Sequence, residues 1–217
     1  MLIKEQYSYK LLVSGSDPAF DDFYRIYAES ISLREQKPKI QISAIAARPD
    51  YKILLLEKND VVIGFSILFT PAKESFCLLE YMAIQSAYRN LGLGRELFLH
   101  TFKDVLSDSG TVHGLLEVDS DREQSADQEM RRKRQQFYRR LGCLRIAELS
   151  YLLPLQGEGP PPQMDLMVYL PDRSPLISSN QLEHWLQVLY SKVYDCSLDD
   201  PRIAQMMGAV GDPVKLV

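Results

Sequence analysis

No apolar run in the chain approaches the ~18 residues that a membrane-crossing helix needs. The first residues, MLIKEQYSYK, carry charge where a secretory leader would hold an apolar core. No membrane association is expected, and the chain reads as cytoplasmic. Cysteine is scarce as well: Cys77, Cys143 and Cys196 are odd in number and far apart. Neither a disulfide framework nor a zinc cluster is indicated, and buried free thiols in a reducing compartment are the expectation. An excess of positive charge is also missing. The formal charge of −4 argues against a dedicated nucleic-acid binder. Histidine is rare and scattered, and His100, His113 and His184 each read as surface or packing residues. There is no internal repeat.

What the chain has is length and apolar content. With 217 residues, 46% of them hydrophobic, it can bury one full core with an appended element. Residues 4–13 predict a first strand, closed by SGSDP. Asp17 then caps a helix with Pro18 at its first position. Phe20, Phe23, Tyr24, Tyr27 and Ile31 turn one face of residues 18–30 inward. A second helix is expected over 38–47. In YKILLLEKNDVVIGFSILFTP two β-rich runs flank Asn59-Asp60, a hairpin signal. Strands follow at 76–84 and 112–119. Between them, a helix over 93–107 turns Leu93, Leu97, Phe98, Phe102 and Leu106 inward.

The polar segment 120–136 leads into a helix stopped by Gly142. LRIAELSYLLPL and MDLMVYLP predict two strands around the loop QGEGPPPQ. Residues 178–194 predict an amphipathic helix capped by Ser179 or Asn180. Its inner stripe is Leu182, Trp185, Leu186, Leu189 and Val193. The whole is mixed α/β with helices on both faces of a sheet.

Within that order, EYMAIQSAYRNLGLGREL (Glu80 to Leu97) holds more than a strand-to-helix turn needs. A Walker loop would place Lys and Ser or Thr after its last glycine, where Arg95 and Glu96 stand. A dinucleotide fingerprint would open the first strand–helix unit and carry a third glycine, and this loop does neither. The backbone N–H groups from Arg89 to Gly94 can converge on a pyrophosphate where no Cβ obstructs them. The helix starting near Leu93 points its positive end at the same charge, and Arg89 adds a cation. A plain turn with incidental glycines is the alternative.

RNLGLG matches the pattern [RQ]-x-x-G-x-[GA] and so resembles the acyl-CoA signature of the GNAT N-acetyltransferase family. The resemblance runs over residues 4–170. FDDFYRIYAESI resembles the family's first helix, and ILLLEKNDVVIGFSILF its second and third strands. LLEYMAIQSAYRNLGLGRELF resembles its central strand, loop and helix. FYRRLGC resembles its late tyrosine–glycine element, with Cys143 in place of an aromatic residue. The fold so implied is a mixed, mostly antiparallel central sheet with splayed fourth and fifth strands and helices on both faces. A domain over 1–172 would carry it, with 173–217 a helical extension packed on the same domain.

For the chemistry, the resemblance implies acetyl-CoA as co-substrate, no metal, and direct attack of an acceptor amine on the thioester in a ternary complex. Main-chain groups of Met82, Ala83 and Ile84 would pair with the pantetheine arm. Arg89, Asn90, Leu91, Gly92, Leu93 and Gly94 would hold the pyrophosphate, with Arg95 beside them. Tyr138, four residues before Gly142, aligns with the family's general acid; its alternative is packing beside Phe137 and Leu141. For the base, Glu80 and Glu117, with Asp119 next, stand in otherwise apolar runs, where an unpaired carboxylate is costly. Lining a cleft would explain them, and so would a salt bridge with an arginine. Glu80 ranks first, on the alternating face shared with Met82.

One stretch departs from the family. Its last helix often begins N-x-x-A, where this chain has Arg131 and Arg134. Arg131 is therefore a candidate for the phosphates of CoA. Arg132, Lys133, Arg134, Arg139 and Arg140 read as a solvated face offset by Asp121, Glu123, Asp127 and Glu129, with a nucleic-acid patch the weakest reading. The expected activity is N-acetyl transfer to a small-molecule or peptide amine. A non-catalytic acyl-CoA-binding regulatory module is the alternative. Trp185 packs the terminal helix or forms a homodimer contact.

Overall fold

The computed structural model describes residues 7–108, 113–122, 124–154, 163–170 and 176–217, and only the backbone of residues 104 and 106–108. Several expectations lie outside the described residues: the strand positions 4–6 and 112, the Leu106 side chain, Glu123, residues 156–162 of the proline-rich loop, and the boundary at 172. The chain forms two compact units, Met1–Thr111 and Val112–Val217.

In the first unit four strands run antiparallel in chain order: β1 (Tyr7–Leu12), β2 (Tyr51–Lys58), β3 (Val61–Phe69) and β4 (Phe76–Ile84). The expected hairpin joins β2 and β3. Asn59 (φ 50°) and Asp60 (φ 65°) are both left-handed, as a two-residue type I′ turn demands. The helices are α1 (Phe20–Ser30), α2 (Lys39–Ala46) and α3 (Leu93–Asp108). The α1 cap is Ala19, without a side-chain cap bond, so Pro18 is not in the first turn and Asp17 acts only on the turn that leads into the helix. Its Oδ1 accepts the Ala19 N–H at 2.9 Å and pairs with Lys10 at 2.8 Å, which holds the carboxyl below its usual range.

Helices cover both faces of this sheet. Phe23 and Tyr27 of α1 pack on Phe65 of β3, with ring centroids 5.0 and 6.0 Å apart. On the opposite face Leu93 and Leu97 of α3 join Leu56, Ile63 and Ile84 in one buried cluster. A buried polar pair sits on that face too. Thr101 donates its hydroxyl to the Leu97 carbonyl (2.7 Å), so the Ser66 hydroxyl donates to Thr101 (2.7 Å) and neither is stranded.

The second unit is built on β8 (Gln163–Tyr169). It pairs antiparallel with β5 (His113–Asp119), β6 (Cys143–Arg145) and β7 (Tyr151–Leu152). The run LRIAELSYLLPL, expected as one strand, is thus two short ones. The chain turns between them, with Glu148 left-handed at φ 62°. Main-chain bonds from Arg145 and Ala147 go instead to Val217 and Lys215. Helix α4 (Gln128–Arg140) ends as expected before Gly142, whose φ of 93° few other residues would adopt.

Helix α5 (Ser179–Val193) buries the whole expected stripe, and Trp185 packs against His113 of β5 at 4.9 Å. Its cap is Ser178 rather than Ser179 or Asn180, the Ser178 hydroxyl accepting the Gln181 N–H at 3.2 Å. The sequence reading missed α6 (Pro201–Met207), although Asp200-Pro201 is a cap followed by a first-position proline. All three cysteines are free; Cys77 and Cys143 are buried, while Cys196 is only half-buried. Among the described residues no helix is long and apolar enough to cross a membrane.

Candidate acyl-CoA and acceptor sites

The glycine loop leaves β4 at Ile84, passes through a 3₁₀ turn at Ser86–Tyr88, and enters α3 at Leu93. Asn90 (φ 65°) and Gly92 (φ 80°) are both left-handed. A Cβ placed on Gly92 would meet nothing within 4 Å, so one side of the loop lies open. The first turn of α3 closes on the Gly92 carbonyl through the N–H groups of Arg95 and Glu96, at 3.0 and 3.3 Å. Arg89 donates from Nε to the Ile84 carbonyl at 2.9 Å, tethering its guanidinium where strand becomes loop. Leu93 is buried and anchors the loop, whereas Leu91 is exposed. Arg95 pairs with Glu96 in the open, at 2.7 Å.

The end of β4 lies close against β3. Ile84 faces Gly64, where an added Cβ would stand 2.6 Å from the Ile84 methyl and 3.0 Å from the Ala83 carbonyl. Gly64→Val is expected to push β4 outward and cost about 1–3 kcal/mol. Denaturant unfolding measures that loss, and an unchanged midpoint would contradict this packing.

Further back, β4 carries a bulge. Tyr81 lies opposite Ile67 and Leu79 opposite Leu68, which leaves Glu80 as the extra residue. A bulge breaks the alternation of side chains, so Glu80 does not share a face with Met82, against expectation. Met82 packs on the α3-side cluster. Glu80 and Tyr81 both turn to the α1 side, where Tyr81 meets Tyr27 at 5.2 Å.

The Glu80 side chain is only 3% exposed. Its Oε1 accepts from the Lys37 ammonium; its Oε2 is buried with no hydrogen-bond partner. The Tyr51 phenol lies nearby, raised out of its usual range by burial and by the Glu80 charge. The structural partner is a lysine, not the arginine anticipated.

Lys37 comes from the loop between α1 and α2, and the loop is fixed. The Tyr27 hydroxyl accepts the Lys37 N–H at 2.7 Å, and Tyr81 donates to the Glu35 carbonyl at 2.8 Å. Gln36 donates to the carbonyls of Ala28 and Ile31, at 2.8 and 2.6 Å. Burial pushes the Tyr27 phenol up to about 12, so it stays a neutral hydroxyl. Sequence reasoning missed Lys37, Tyr51 and Tyr81 because nothing in their spacing links them to Glu80.

In the second unit Glu117 accepts from two phenols, Tyr151 on one oxygen and Tyr194 on the other. The Tyr151 phenol is driven well above its usual range by burial and by that charge. Removing one donor with Tyr151→Phe is expected to cost about 1.5–3 kcal/mol, the worth of a hydrogen bond to a charged group. Thermal unfolding reads this directly. Asp119 pairs with Arg134, and buried Asp165 takes Arg122 at 2.5 Å and Gln135 at 3.0 Å.

Tyr138 stands in the last turn of α4, half-buried, with its ring edge-on to Phe137 at 5.1 Å. Burial pushes its phenol up to about 12, with Arg134 pulling it partly back. Cys143 is fully buried, and its thiol is likewise pushed up to about 12. Arg131 grips both oxygens of Asp127 at 3.0 Å, and Lys133 pairs with Glu129 at 3.6 Å. At these positions the basic run is a helix face offset by acids. Among the described residues no group of His, Cys, Asp and Glu could hold a metal ion.

A family model described as the Acetyltransferase (GNAT) family matches residues 19–143. This chain belongs to the GNAT acetyltransferases. The match takes in α1 through α4, and therefore the bulge, the glycine loop and Tyr138. Solved structures of GNAT proteins share the fold. One is a putative GNAT acetyltransferase from Bacteroides thetaiotaomicron, with 22% identity, 86% of this chain and 98% of that one covered, and a TM-score of 0.67. A second is the ribosomal-protein-S18-alanine N-acetyltransferase from Escherichia coli, with 16% identity, 78% and 97% covered, and a TM-score of 0.58. A third is a GNAT acetyltransferase from Elizabethkingia anophelis with acetyl-CoA bound, with 14% identity, 77% and 99% covered, and a TM-score of 0.50. No curated protein matches the chain.

Proposed function

We propose that this GNAT protein moves an acetyl group from acetyl-CoA to the primary amine of a small molecule or peptide. The observation that carries the reading is the loop at 89–94: left-handed at Asn90 and Gly92, open over Gly92, and tied to β4 through Arg89. Those features suit a diphosphate. Backbone N–H groups can approach it closely, the positive end of the 16-residue α3 faces it, and Arg89 and Arg95 supply cations. Main-chain groups of Met82, Ala83 and Ile84 would carry the pantetheine arm. Acetyl-CoA is bound in the Elizabethkingia anophelis relative, and the Escherichia coli relative is named for acetylating an alanine of a ribosomal protein.

Acetyl-CoA supplies an activated thioester. The acceptor amine must arrive unprotonated, and the leaving sulfur gains from a proton. Tyr138, neutral at physiological pH, is assigned the second task. Glu80, buried in the bulge of β4 beside Tyr51, is assigned the first. Glu117, with a phenol on each oxygen, serves to fix β5, β7 and α5 together.

The test is release of CoA thiol on adding a panel of amines and peptides to the protein with acetyl-CoA. Release that depends on the amine supports the reading. Tight acetyl-CoA binding without release for any acceptor would instead make the protein an acyl-CoA-binding regulatory module.

A further inference from the structure

The candidate base Glu80 already has an amine on it. Lys37 reaches from the α1–α2 loop into the bulge of β4, and its ammonium contacts Oε1 of a carboxylate that is 3% exposed. The lysine side chain is itself only 18% exposed and lies over the Tyr81 ring at 5.6 Å. The contact is held in place. Tyr27 binds the Lys37 main chain, Tyr81 binds Glu35, and Gln36 ties the loop back to α1. Surface lysines seldom have such a setting, because confining a long side chain costs entropy that an exposed pair does not repay. Glu80 also stands two residues before Met82, where the main-chain tract assigned to the pantetheine arm begins. An arm running back along β4 from the loop therefore brings its acyl end towards Glu80.

We propose that Lys37 is an internal acyl acceptor, acetylated by acetyl-CoA bound to the same molecule. The inference rests on the acyltransferase reading and goes beyond it by naming a modification site. The Lys37 ammonium gives a proton to Glu80, and its nitrogen then attacks the thioester carbon. A C–N bond forms, the C–S bond breaks, and the sulfur leaves with the electron pair, taking up as CoA thiol the second proton that the nitrogen sheds when it becomes an amide. The product is an amide at Lys37 with no charge. Glu80 releases the proton it took to water as it regains its charge, and without its counter-ion a carboxylate that stays buried is strongly unfavourable. Acetylation therefore loosens the 31–38 loop and exposes Glu80 to an external amine.

The experiment is peptide mass spectrometry of the full chain after incubation with acetyl-CoA. Lys37→Arg and Gly92→Trp are run in parallel, and thiol release with the amine panel is measured on the same samples. The expected result is one acetyl group at Lys37, gained at a rate independent of protein concentration. Gly92→Trp should lose it, while slow chemical labelling of exposed lysines such as Lys133 continues. Lys37→Arg keeps a cation on Glu80 and should gain nothing at 37. Acetylation of external amines with Lys37 unmodified would overturn the proposal and leave the acyltransferase reading standing. Failure to bind acetyl-CoA at all would overturn both. Labelling of Lys37 no faster than of Lys133, or unchanged in Gly92→Trp, would mark it as chemical and also overturn the proposal.

Discussion

Tyr138→Phe is expected to lower kcat by about 10²–10⁴-fold, the range spanned by loss of one positioned proton donor, with KM for acetyl-CoA little changed. The substitution deletes one oxygen and keeps the ring that meets Phe137. A drop confined to kcat therefore reports the hydroxyl and not the packing. A folded-state value of about 12 keeps the phenol protonated throughout the neutral range. Any ionisation seen in the rate below about pH 10 must then belong to another group.

The sign for stability follows from the same shift. Burial raises the phenol from 10.0 to about 12, so its protonated form is the one the fold favours. The associated stability is complete below pH 10 and is lost as pH climbs towards 12. The phenylalanine variant should lack this alkaline loss. Equal changes in kcat and KM, or no change in either, would assign Tyr138 to packing alone.

Gly92→Trp is expected to abolish acetyl-CoA binding while leaving the protein folded. Two effects act together. At φ 80° a side chain carries a strain of about 1–2 kcal/mol, and the indole fills the open side of the loop. Nothing lies within 4 Å of the position where that side chain starts, so the fold itself offers no clash. Gly92→Ala separates the two effects, since it brings the strain with far less bulk. It should weaken binding by roughly tenfold, the equivalent of about 1.4 kcal/mol. Calorimetric titration with thermal unfolding as control reads both variants. Unaltered affinity in the tryptophan variant would place the diphosphate elsewhere.

Much of the fold was legible because short-range rules governed it. Asn59-Asp60 specified its hairpin through the turn type alone, Gly142 its helix stop, and the Leu182 to Val193 stripe its buried face. The places where the reading slipped depend on contacts distant in sequence. The extra residue in β4 is visible only against its register with β3, so the face of Glu80 could not be read from alternation. Lys37 and Glu80 are 43 positions apart and meet because an aromatic group, Tyr27 and Tyr81, fixes the intervening loop. The left-handed Glu148 split one expected strand in two without any glycine or asparagine to announce it. The glycine loop shows the opposite case. Gly92 marked a left-handed position in the sequence itself, although the equally left-handed Asn90 carried no glycine.

The most direct test of the central claim is a map of backbone amide shifts in nuclear magnetic resonance as CoA is titrated into the wild-type protein. An acyl-CoA site at the glycine loop predicts saturable shifts concentrated at Met82–Ile84 and at Arg89–Gly94, with the α4 cations from Arg131 to Arg134 moving little. Shifts centred on those cations with a silent glycine loop, or no saturable shift at all, would contradict it.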